Sequence, residues 1–175
     1  MMLRIGAVLI VVLLTLGGQT LAHAVTFGVL DFELNDMTLA PAQAAERERV
    51  ATLKPLLEQA LRAQGFGVVS IDSQAQAAAD KGHGYLREHP ELAAPLGKAA
   101  GADYVLIGRL HKPSFLFAYL MVRMVAVDNT QVLADTVTET KGGAAILTAK
   151  AVEAVAEKLP GTCLLQKQRS LYRQP

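Results

Sequence analysis

Between residues 107 and 120 the chain reads IGRLHKPSFLFAYL, which sets Arg109, His111, Lys112 and Ser114 close together between two apolar runs. A guanidinium, an imidazole, an ammonium and a hydroxyl at that spacing can bind an anion, or a metal if carboxylates reach them. Candidate carboxylates stand at the end of the first apolar stretch: Asp31, Glu33 and Asp36. Ligands of sheets with parallel strands gather where strands leave at their carboxyl ends, so acids and bases could share one rim. His83, Tyr85 and His89, in HGYLREHP, are the groups that could fold over it. The metal or small-ligand version of the site would use Asp31, Asp36, His83 and His111.

Spacing argues against chemistry. No two histidines stand at i, i+4 or as HxH, the arrangements that put two ligands on one metal. GxSxG, a glycine loop followed by Lys and Ser or Thr, and CxxC are all missing. We therefore expect a non-enzymatic chain with no catalytic residues and no cofactor. A contact rim of Asp36, Arg109, His111, Lys112 and Phe115 is easier to motivate, because it places donors beside an aromatic ring at a loop, a mixture favoured at interfaces. Asp31, next to Phe32, reads as a structural acid, and Tyr119 and Met121 read as core.

The elements that would position these residues follow from periodicity. VTFGVLDFE, 25–33, is a first strand, and LNDMTLAPAQAA reads as a loop from its Asn, Asp and Pro content. Val50, Leu53, Leu57, Ala60 and Leu61 recur at helical spacing before Gly65, with Pro55 bending the helix or sitting in its first turn. ERER at 46–49 alternates in sign and reads as a solvated helix face. FGVVSID, 66–72, is a buried parallel strand. SQAQAAADKG is a polar helix or loop, HPELAAPLGKAAGAD a helix closed by Gly101, and YVLIGRL a third strand. HKPS then connects to SFLFAYLMVRMVAVD, 114–128, a strand apolar on both faces and so expected to be covered on both. QVLADTVTETK is an edge strand, and Ile146, Leu147, Ala151, Val155 and Leu159 mark a last helix ending at Pro160-Gly161. The result is one α/β domain over 25–161, a mixed sheet of about five strands in the order β-α-β-α-β-β-β-α with packed helices, followed by a polar tail, 162–175.

The ends give an address. Arg4, the apolar run Ile5–Leu16, and small residues at Ala22 and Ala24 have the order of a secretory signal with cleavage after Ala24. Its core is too short for a membrane span, which needs roughly 20 residues. Residues 1–24 are thus expected to be removed, leaving a periplasmic chain without a membrane span. Its remaining charges balance, so neither nucleic acid nor an anionic membrane is an expected partner. Cys163 is the only cysteine, so no internal disulfide can form and packing alone must hold the fold.

FGVLDFELND, LKPLLEQALRAQGFGVV and LGKAAGADYVLIGRLHKPSFLFAYLMVRMVAVDNTQVLAD together resemble a family of exported bacterial proteins described only as a domain of unknown function. More remotely, GVLDF, GADYVLIGRL and VAVDNTQVL are similar to the amino-terminal domain of TolB and to CsgG-like envelope proteins. The resemblance implies an α/β envelope module that assembles with other proteins, an accessory role near quinoprotein alcohol oxidation, and no catalytic residues to carry over. The partner it implies is an envelope protein, with a homo-oligomer also open.

Overall fold

The computed structural model describes residues 24–39, 44–141 and 145–171, without the side chains of 160 and 162–171. Elements follow as β1 (Thr26–Val29), β2 (Glu33–Asp36), α1 (Ala44–Ala63), β3 (Gly67–Ser70), α2 (Ser73–Ala79), α3 (Tyr85–Glu88), α4 (Ala94–Ala100), β4 (Tyr104–Lys112), β5 (Phe117–Ala126), β6 (Val132–Lys141) and α5 (Ala145–Leu171). The strands form one sheet in the order β3-β1-β4-β5-β6, with β2 also on β4. Pairs among β1, β2, β3 and β4 are parallel, whereas β4-β5 and β5-β6 are antiparallel hairpins. The expected single mixed α/β domain is what the chain adopts, with β6 as the expected edge. The expected signal segment, 1–24, lies outside the described residues except for Ala24.

Six strands replace five because the first one is interrupted. β1 lies along Tyr104–Leu106 and β2 along Arg109–Lys112 of the same neighbour. Between them Phe32 lays its ring on Gly108, where a Cβ would fall 2.2 Å from the ring, so only glycine lets the chain step aside there. The segment Leu34–Asp36, expected as loop, is therefore strand, and the Met37 N–H closes its ladder on the Lys112 carbonyl at 2.9 Å. Tertiary pairing overrides the weak strand preference of Asn and Asp.

Helices cover the sheet unequally. On one face α1 and α5 bury Leu53, Leu57, Leu61, Val152, Val155 and Leu159 against Phe27, Leu106, Leu110, Leu120 and Met124. Each such side chain contributes roughly 1.5–3 kcal/mol by leaving water. On the other face α3, α4 and the loops around them bury only Val105, Ile107 and Val125 among the apolar strand residues. Ala118, Leu120, Val122 and Met124 are accordingly buried, while Phe117, Tyr119, Met121 and Arg123 on the opposite face of β5 are only half-buried. This corrects the reading of β5 as covered on both sides, and of Tyr119 and Met121 as core.

Two helices run past their expected limits. α1 starts at Ala44, so Pro55 sits in its interior, where the missing N–H deprives the Ala51 carbonyl of its helical donor. α5 continues as helix through Pro160-Gly161 to Leu171, where a polar tail was expected from 162. Leu159 is the last α5 side chain in the core among those described.

Candidate functional site

The register of β2 on β4 builds the site. Glu33 stands opposite Arg109, Asn35 opposite His111 and Asp36 opposite Lys112, so acids and bases do come to one rim. Strand alternation then divides them, because successive side chains point to opposite faces. Asp36 and Lys112 turn under α1, whereas Arg109 and His111 turn to the open face. Both bases are strand residues rather than loop residues, and the turn itself is limited to residues 113–116.

Under α1 the Lys112 Nζ lies 2.8 Å from Glu46 Oε1 and 3.8 Å from Asp36 Oδ2, with the Asp36 side chain 2% exposed. Glu46 Oε2 is 3.5 Å from Arg49 Nη1, and Arg49 donates to Thr148 Oγ1 at 2.9 Å and Thr140 Oγ1 at 3.1 Å. Two acids and two bases thus tie β2, β4, β6, α1 and α5 together in a buried, charge-balanced chain. Glu46 and Arg49 belong to ERER, so that segment is not a solvated face throughout. Spacing could not show this, since both partners come from outside the helix.

On the open face the Arg109 guanidinium donates to Glu33 Oε2 at 3.0 and 3.2 Å, and Glu33 Oε1 accepts the Gly84 N–H at 2.8 Å. His111 Nδ1 is 3.1 Å from Asn35 Nδ2, and its ring stacks on Tyr119 at 6.4 Å. Nearby, Arg123 and Arg87 both donate to Asp135. Burial pushes the Asp135 carboxyl up, but these bonds and charges outweigh it, leaving its pKa below the ordinary carboxylate value.

The metal set stays apart. Asp31 is held by Lys54 Nζ at 2.8 Å, as a structural acid would be. Burial raises its pKa, and the hydrogen bonds from Lys54 and Ser73 together with the Lys54 charge lower it by more. His83 is exposed in its turn, and His111 points to the face opposite Asp36. Among the described residues no three His, Cys, Asp or Glu side chains converge on a point.

At the rim the sheet ends in an apolar tip. Met37 is 66% exposed, Leu39 97%, Phe115 59% and Leu116 76%. The Met37 bond to Lys112 brings the two segments side by side, and the Lys112 Nζ lies 5.6 Å from the centre of the Phe115 ring. Phe115 was expected in the contact rim, and its ring is exposed. Met37, Leu39 and Leu116 were not expected there, because an apolar residue beside a strand looks like core until the packing is known. No described helix is long and apolar enough to cross a membrane.

A sheet half-covered by helices, with a polar rim and an exposed apolar tip, defines a small mixed α/β domain with a surface rather than a cavity as its candidate site. The chain belongs to the DUF3280 family, described as protein of unknown function (DUF2380), whose model matches residues 25–158. No curated protein matches the chain. Among solved structures it is similar to the hypothetical protein CT253 from Chlamydia trachomatis, at 11% identity over 80% of this chain and 99% of that one, with a TM-score of 0.55. PelC from Paraburkholderia phytofirmans, solved as a dodecamer, is 15% identical over 79% of this chain and 87% of that one, with a TM-score of 0.52. TolB from Acinetobacter baumannii is 16% identical over 80% of this chain but only 28% of that one, with a TM-score of 0.51. These likenesses establish a shared fold; function lives in sites that folds carry.

Proposed function

We propose that this chain is a non-enzymatic accessory module, exported to the bacterial periplasm, that docks an envelope protein through its apolar tip and the adjoining open sheet face. One observation carries the reading: Met37, Leu39, Phe115 and Leu116 are exposed in the segments that follow the paired ends of β2 and β4. Four large apolar side chains left in water at one place are costly to solubility, and such patches mark binding surfaces. Projecting side chains suit insertion into a partner's pocket, and the half-buried His111, Tyr119 and Arg109 supply the polar surround of an interface. The dodecameric state of PelC supports use of this architecture in assembly. The signal-like leading segment supports export, and the family resemblance points to quinoprotein alcohol oxidation as the pathway.

The test is envelope cross-linking and affinity capture of the tagged protein in its own host, comparing wild type with Phe115→Ser/Leu116→Ser. A specific partner recovered with wild type and lost with the variant, at unchanged thermal stability, is expected. Recovery of the same partner by both proteins, or of no partner by either, overturns the proposal.

A further inference from the structure

The face of the molecule away from the open sheet carries a second surface. Between α1 and α5 runs a groove of about 830 Å³, lined by Thr52, Pro55, Leu56, Ile146 and Ala149 among others. It continues along the same two helices as a further space of about 420 Å³ that shares Leu56, Gln59 and Ala149. Its floor is apolar and Ile146 on its edge is 67% exposed. The Ala51 carbonyl, deprived of its helical donor by Pro55, belongs to a residue of the same lining. Glu48, Glu153 and Glu157 line the groove and are exposed. Arg49, the one lining base, is engaged by Glu46, Thr140 and Thr148, so the groove presents an acidic rim.

The chain itself contains the complement. Residues 162–175, TCLLQKQRSLYRQP, hold Lys167, Arg169 and Arg173 and no carboxylate. Leu164 and Leu171 stand seven residues apart there, the two-turn spacing that shares one helix face, with Leu165 adjoining. The backbone is helical to Leu171, beyond Leu159, the last described core residue of α5. That is an extension of about 18 Å at 1.5 Å per residue, about two thirds of the run from Ala45 to Gln64 that lines the groove along α1. The arm cannot enter the groove of its own chain, because the start of the same continuous helix forms one wall.

The geometry points to a second copy of this chain as the occupant: the basic, Leu-bearing arm of one copy lies in the acidic α1–α5 groove of another. This is a separate surface from the apolar tip, and the two readings stand or fall apart. The test is sedimentation equilibrium on the purified full chain with two charge reversals, Glu153→Lys/Glu157→Lys and Lys167→Glu/Arg169→Glu. Wild type is expected to self-associate, each reversal alone to weaken association by about tenfold or more, and the combination to restore it. A monomeric wild type at high concentration overturns the proposal, as does association unchanged by either reversal. Loss of a different, basic protein from captures with the Glu153/Glu157 variant of a monomeric chain would also overturn it, by assigning the groove to that partner. Circular dichroism of each variant separates lost association from lost folding.

Discussion

Replacing Lys112 with methionine separates the structural reading of this rim from a contact reading. The stem is kept and the ammonium removed, leaving Glu46 and Asp36 without the cation that stands 2.8 and 3.8 Å from their oxygens. Breaking a buried ion pair by removing one partner costs about 3–5 kcal/mol, because the remaining charge stays in a poor solvent for it. Against a total stability of roughly 5–15 kcal/mol that is a large fraction. At roughly 2–4 °C per kcal/mol for a chain of this size, Tm should fall by about 10 °C. Urea denaturation at pH 7, followed by circular dichroism, reads the loss directly. Adding Glu46→Gln to Lys112→Met removes one stranded carboxylate and should recover about 1 kcal/mol or more. A loss below about 1 kcal/mol for Lys112→Met, with no recovery in the double variant, would refute the buried network as a fastening of the fold. His111→Ala, on the open face, should change stability by no more than about 0.5 kcal/mol.

Three further outcomes follow from the same structure. Gly108→Ala places a Cβ 2.2 Å from the Phe32 ring and should cost about 1–3 kcal/mol in thermal or urea unfolding, since a packed ring against backbone has little room to give. Asp135→Asn should flatten the acid limb of stability. The folded-state pKa of Asp135 is depressed, so its contribution is present above the unfolded value of about 4 and is lost as pH falls through the folded value; wild type should therefore lose more stability than the variant between pH 5 and the most acid folded condition. Leu57→Ala, in the layer between α1 and the sheet, should cost about 2–5 kcal/mol and shift the urea midpoint accordingly.

What the residues determined by themselves was local. Alternation and 3.6-residue spacing placed α1, β3, β4, β5, β6 and the core of α5, and Gly101 and Gly65 marked where helices end, because these signals depend on neighbours a few positions away. The same patterns fixed a mixed α/β class, since strand-helix-strand order requires parallel crossovers. The five residues named for a contact rim, Asp36, Arg109, His111, Lys112 and Phe115, lie toward the end of the sheet where β2 runs along β4. Only the tertiary structure decided what each does there. Strand parity sends Lys112 under α1 and leaves His111 in the open, although they are adjacent in sequence. The apolar packing of the short helices on the sheet stops at Ile107 and Val125, and so leaves Tyr119 and Met121 only half-buried. Arg49 is buried because Thr140 and Thr148 arrive from β6 and α5, roughly a hundred residues later in the chain. Burial and pairing across such distances are set by how elements pack, and a single strand or helix carries no record of which of its faces another element will cover.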